Sequence, residues 1–169
     1  MPFEIRADLP ASLVPLAWLE GRWEGAGVVG YPDVPERRFG QEVVLAHDGR
    51  GNLSHRSQSW YLDDDGRPAE PMTSEWGVWR TGDDGSGGVQ VELLLAQPEG
   101  AVEIYVGRAT GTKIEMTTDL VARTATSVGA YTAGRRIYGQ VEGDLLWALD
   151  VATAATPMRS YASARLKRV

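Results

Sequence analysis

From residue 21 onward, polar and apolar residues alternate over runs of about ten residues, and a glycine or an aspartate closes nearly every run. No segment of this part shows a helical period, so the chain is restricted to strands that turn back on themselves. In 38–47, Phe39, Gln41, Val43 and Leu45 share one face against Gly40, Glu42, Val44 and Ala46. Asp48-Gly49-Arg50-Gly51-Asn52 then offers the positive-φ positions of a tight reversal. Residues 53–62 end at Asp63-Asp64-Asp65-Gly66, and 73–80, carrying Trp76 and Trp79, end at Thr81-Gly82-Asp83-Asp84-Gly85. Val89, Val91, Leu93 and Leu95 alternate with Gln90 and Glu92. After Pro98-Glu99-Gly100, Val102, Ile104 and Val106 alternate with Glu103 and Tyr105. Residues 113–120 follow Gly111, and Glu142-Gly143 joins 135–141 to 144–151 as a hairpin. The stretch 121–133 holds at least one more strand or a long loop. The tail 161–168 reads as one short helix or as a solvated charged end, with Arg165, Lys167 and Arg168 suiting a helix C-terminus.

Nine or ten antiparallel strands with short connections favour up-and-down order, and closure into a barrel removes the exposed edges. A barrel of more than eight strands leaves an interior cavity or an open cleft. The prediction is an all-β single domain over 1–169, with the barrel starting near residue 21. A short helix precedes it, in which Leu13, Leu16 and Ala17 share a face and Ser12 serves as N-cap. Pro10, Pro15 and the acidic leader argue against a signal peptide, so the expected location is cytoplasmic.

Composition excludes several chemistries. The chain has no cysteine, which removes disulfides, thiolate metal sites and a cysteine nucleophile. A formal charge of -6 disfavours nucleic acid and anionic membrane as partners. No metal site is expected. The two histidines, His47 and His55, lie eight residues apart around a turn and read as turn or surface residues, with no third ligand evident. The clusters Asp63–Asp65 and Asp83–Asp84 could serve a hydrolase, yet they read as solvated hairpin tips.

The segment Gly21-Arg22-Trp23-Glu24-Gly25-Ala26-Gly27, followed by Gly30-Tyr31-Pro32, resembles the G-x-W-x-G-x-G signature of the nitrobindin family with its downstream Y-P. Ser57-Gln58-Ser59-Trp60, Glu75-Trp76-Gly77-Val78-Trp79-Arg80, Glu92-Leu93-Leu94-Leu95-Ala96 and Arg136-Ile137-Tyr138-Gly139 extend the resemblance over roughly residues 10–169. It implies a ten-stranded antiparallel up-and-down barrel of the calycin kind, similar to fatty-acid-binding proteins. It also implies heme b in a cleft at the mouth, peroxynitrite isomerisation, and pairing as homodimers. Independently of family, Gly21, Gly25 and Gly27 with Trp23 read as residues that shape a curved first strand and plug one barrel end.

The family holds heme through one histidine in a C-terminal segment of the form P-L-x-P-H-L-x-A. This chain has Thr156-Pro157-Met158-Arg159-Ser160-Tyr161-Ala162-Ser163-Ala164-Arg165-Leu166, which puts Tyr161 at the histidine's place. The resemblance therefore implies a barrel without histidine ligation, no catalytic residues and no heme unless Tyr161 ligates iron as phenolate beside Arg159 or Arg165. Four functions follow: a binding module for a small hydrophobic ligand, a tyrosinate-ligated heme enzyme, the hydrolase above, and a structural barrel with a filled interior.

Overall fold

The computed structural model describes residues 7–129 and 131–169. Ten strands follow one another: β1 (Gly21–Tyr31), β2 (Val34–Ala46), β3 (Leu53–Leu62), β4 (Pro68–Asp83), β5 (Val89–Gln97), β6 (Ala101–Thr110), β7 (Lys113–Arg123), β8 (Tyr131–Val141), β9 (Asp144–Thr153) and β10 (Arg159–Arg168). Each pairs antiparallel with its sequence neighbours, and β10 pairs with β1, so the sheet closes into a barrel. The hairpin between β8 and β9 carries positive φ at both Glu142 (54°) and Gly143 (86°), the mirror-image turn whose twist matches the strands.

Trp23 pairs with Arg168 and Gly21 with Leu45, which defines one end of the barrel. A 3₁₀ helix, Ala11–Leu16, closes that end. Its threefold period sets Leu13 and Leu16 in line, and both are fully buried with Leu19 and Trp23. Hydrogen bonds stitch the segment to the barrel: the Thr81 hydroxyl donates to Ser12 O (2.6 Å), the Trp23 indole to Leu19 O (2.8 Å), and Arg168 to Trp18 O (2.9 Å). The N-cap is Pro10, with no side-chain cap, and not Ser12. Proline's fixed φ starts the turn without one.

The tail forms neither a helix nor a loose end. Residues Arg159–Arg168 are the closing strand, with Ala162, Ala164 and Leu166 buried and Arg165 and Lys167 outside. The barrel needs a partner for the free edge of β1, and seven paired residues supply it. Arg165 pairs with Asp144 and Glu142 on the outer surface, where no helix end exists. In the stretch 121–133, β7 continues to Arg123 and β8 begins at Tyr131.

Gly25 and Gly27 lie where β1 and β10 press together. A Cβ on Gly27 would fall inside the contact radius of Ser163 O, 2.6 Å from Phe39 Cζ and 2.7 Å from Ala164 Cβ. A Cβ on Gly25 would meet Arg165 O and Leu166 Cα in the same way. Gly21 stands at φ 135°, which disfavours any side chain. Trp23 is buried beneath the Arg168 guanidinium, 4.1 Å from its ring centroid. Asp63 and Asp84 accept backbone N–H groups of their own turns, and Asp63, Asp64, Asp65 and Asp83 are exposed.

Candidate functional site

The barrel interior carries a polar network above its apolar floor. Inward positions of β3, β4, β6 and β8 contribute His55, Glu75, Glu103 and Arg136, all buried. Their strand neighbours show why these side chains face inward. His55 stands in phase with Leu53, Glu75 with Trp79, Glu103 with Tyr105, and Arg136 with Tyr138. The alternation in β6 thus runs opposite to its hydrophobicity. Ala101, Glu103 and Tyr105 are buried while Val102 is exposed, because Arg136 needs anionic partners in the lumen.

Arg136 spans the lumen from β8 to β4. Its Nη1 donates to Glu75 Oε2 (3.2 Å) and to the Tyr138 hydroxyl (3.1 Å), and its Nη2 bonds to Glu75 Oε1. Glu103 Oε2 lies 3.7 Å from Nη2, and the guanidinium stands 5.1 Å from the centroid of the Tyr105 ring. Gln97 donates to Glu103 (3.0 Å), as does the Tyr105 hydroxyl (3.2 Å). Because Tyr105 spends its proton on Glu103, the 2.8 Å contact between Tyr105 and Tyr131 is a donation from Tyr131. On the opposite wall the Trp79 indole donates to His55 Nδ1 (3.0 Å), and His55 Nε2 stands 3.5 Å from Glu75 Oε2. A second set joins the Trp147 indole to Gln41 (2.7 Å) and Gln41 to the Ser57 hydroxyl (2.9 Å).

The two glutamates hold their protons differently. Burial would push the Glu75 carboxyl up, but the Arg136 guanidinium and nearby His55 keep it well below the usual carboxylate range. Glu103 shares Arg136 only at longer range, so burial prevails and its carboxyl is pushed up. Burial pushes the Tyr105 phenol up to about 12, and it raises Tyr131 and Tyr138 as well.

Tyr161 sits where β10 begins, at a bulge between Ser160 and Ala162 in the pairing with β9. Its ring meets Tyr31 edge-on with centroids 6.1 Å apart, and the Tyr31 hydroxyl donates to Val151 O (3.2 Å). Burial raises the Tyr161 phenol, and Tyr61, Glu99 and Glu75 raise it further. Arg165 lies outside and Arg159 is exposed, so neither stands in for the cation a phenolate would need. A cleft of about 530 Å³ at this rim is lined by Tyr31, Pro32, Arg159, Ser160 and Tyr161 among others.

Neither histidine is a surface residue. His55 is inside the barrel, and the His47 side chain, only 3% exposed, packs against Glu20 at the closed end, far in topology from Tyr161. Among the described residues no group of three His, Asp or Glu side chains stands ready for a metal ion. The sequence reading missed the network of His55, Glu75, Glu103 and Arg136. The available signal was phase: each falls on the same side of its strand as a large buried residue.

The closed antiparallel barrel, with a plugged lower end and a polar network inside it, defines a ten-stranded up-and-down β-barrel. The chain belongs to the family of the THAP4-like, heme-binding beta-barrel domain, whose model matches residues 12–168. It is 53% identical over 180 residues to a ferric nitrobindin-like protein of Kineococcus radiotolerans, covering 100% of this chain and 99% of that one. It is 40% identical over 195 residues to a peroxynitrite isomerase of Leifsonia xyli subsp. xyli, covering 98% of each. The crystal structure of Rv2717c from M. tuberculosis superposes with a TM-score of 0.80 at 31% identity, covering 95% of this chain and 99% of that one.

The family implies heme, and the donor set bears on it directly. A proximal histidine is a strong neutral donor, whereas a phenol ligates ferric iron only after losing a proton whose reference pKa is about 10. The groups whose charge acts on Tyr161 are all acidic, Tyr61, Glu99 and Glu75, and they oppose that loss. His55 is engaged by Trp79 and faces Glu75. These residues do not fit an axially ligated heme.

Proposed function

We propose that this chain is a nitrobindin-like barrel in which Tyr161 replaces the heme-ligating histidine. On this reading it is not a functional peroxynitrite isomerase, and it holds an apolar small molecule in the barrel interior. The observation that carries the reading is the Tyr161 phenol, kept protonated by burial and by the nearby carboxylates Glu99 and Glu75. The apolar barrel interior, with Phe39, Val91, Leu93, Leu95 and Met116 in its core, supports an apolar ligand.

The test is a hemin titration of the wild type, Tyr161→His and Tyr161→Phe, followed by the Soret band. The expected result is no saturable shift in the wild type and saturable binding gained in Tyr161→His. A saturable ferric spectrum in the wild type that Tyr161→Phe abolishes would overturn the reading. It would make the chain a tyrosinate-ligated heme protein acting on nitric oxide or peroxynitrite.

A further inference from the structure

Among the described residues, one boundary in the barrel wall is only half laddered. Five residue pairs join β7 to β8, from Lys113 with Gly139 to Thr117 with Arg135, against seven to ten at every other boundary. Both strands run on past that point, 118–123 still paired with β6 and 131–134 with β9. Each carries a bulge there, Asp119 against β6 and Thr132 against β9, and bulges bend a strand and end its pairing. Above the last pair, side chains hold the two strands together. The Gly134 N–H donates to the Thr118 hydroxyl (3.1 Å), and Arg123 Nη1 donates to Tyr131 O (2.5 Å). Behind them the Tyr131 hydroxyl bonds to Tyr105 of β6 (2.8 Å), and a Cβ on Gly134 would fall 2.5 and 2.6 Å from the two phenol oxygens. The tyrosine pair thus lies against β8 where the ladder stops, with the buried Glu103 bonded behind it.

We propose that this seam is a lateral gate in the barrel: 118–123 and 131–134 part and reclose, and the five-pair ladder below them is the hinge. A strand boundary elsewhere opens only by breaking a longer ladder of backbone bonds, and the lower end is plugged by Leu13, Leu16, Leu19 and Trp23. The seam opens by releasing three side-chain bonds, and the exposed Arg123 exchanges its own for water. Tyr131 is the latch, since its carbonyl holds Arg123 and its hydroxyl holds Tyr105. The opening stands on the strand pairing. Its use, admitting an apolar molecule to the interior, rests on the reading above.

Because the chain has no cysteine, an introduced thiol reports on one place. Met116→Cys sets it on the inner wall at the foot of the seam, and Val43→Cys sets it on β2 opposite Trp23, toward the closed end. Both positions are buried. Labelling of the folded full chain by methyl methanethiosulfonate, read by mass, follows the open population. Met116→Cys should react at least about tenfold faster than Val43→Cys. Adding Tyr131→Phe or Arg123→Gln should speed Met116→Cys by about fivefold and leave Val43→Cys unchanged. Should Met116→Cys not fold, Val91→Cys serves, in the same cross-strand row with only Gly107 between them. Equal rates for the two thiols, or one acceleration shared by both, would overturn the gate, since only unfolding of the whole barrel would then expose the interior. N-phenyl-1-naphthylamine tests the use of the gate: in Tyr131→Phe its entry and exit should both quicken by about fivefold, with Kd unchanged. Unchanged rates of a bound fluorophore would refute that use. If the fluorophore does not bind, the apolar-ligand reading fails, and the thiol rates still decide the gate.

Discussion

Replacing Glu75 by glutamine keeps the shape of the lumen and removes one charge from its centre. At an effective dielectric of about 20, two unit charges at the 3.2 Å separation of Arg136 and Glu75 attract by about 5 kcal/mol. Glutamine retains one hydrogen bond to the guanidinium, and Glu103, 3.7 Å away, can ionise and recover part of the attraction. The expected loss is about 3 kcal/mol, at the lower edge of the range for breaking a buried pair. For a chain of this length that is a fall of roughly 6–12 °C in melting temperature, read by circular dichroism. The effect carries a pH signature. The folded-state pKa of Glu75 lies below its ordinary value of 4.5, so its stabilisation is complete above that pH and is lost as the pH falls further. The gap between wild type and variant should therefore narrow as the pH drops below about 4.5. Glu103 has the opposite sign: raised in the fold, it stabilises below 4.5 and loses that contribution as the pH climbs through its folded value. A fall under about 3 °C at neutral pH, or a gap that stays constant down to about pH 3, would refute the assignment of Glu75 as the charged partner of Arg136.

Two further outcomes test the frame around the lumen. Gly27→Ala should destabilise by about 2–3 kcal/mol in urea denaturation, since the added methyl meets Ser163 O, Ala164 and Phe39 with no room to move; a loss under about 0.5 kcal/mol would mean that β1 and β10 are not packed this closely. Trp79→Phe should lose about 1–3 kcal/mol by stranding His55 Nδ1, whereas Trp76→Phe, on an exposed position, should shift the urea midpoint little.

Much of the architecture was legible from local chemistry. Alternation of period two and turn residues with positive φ are properties of adjacent residues, so several hairpins and a count of nine or ten strands could be read directly. In the first strand, Gly25 and Gly27 sit where no side chain fits. The tail at 161–168 was not legible as a strand. Its short alternating pattern is weak alone and becomes decisive only when the free edge of β1 lies beside it.

The lumen lay beyond the sequence for the same reason. Val102, Ile104 and Val106 look like the buried face of β6, and hydrophobicity alone would turn Glu103 to water. In the closed barrel Glu103 faces inward, because Arg136 arrives from β8 and Gln97 from β5 to meet it. His55 likewise reads as a turn residue until Trp79 and Glu75 surround it. Strand periodicity depends on neighbours one and two residues away, and the sequence by itself determined that much. Which face of each strand became the interior, and which groups met there, depended on partners as far apart as the 61 residues between Glu75 and Arg136 and the 106 between Gln41 and Trp147, and only closure of the barrel brought them together.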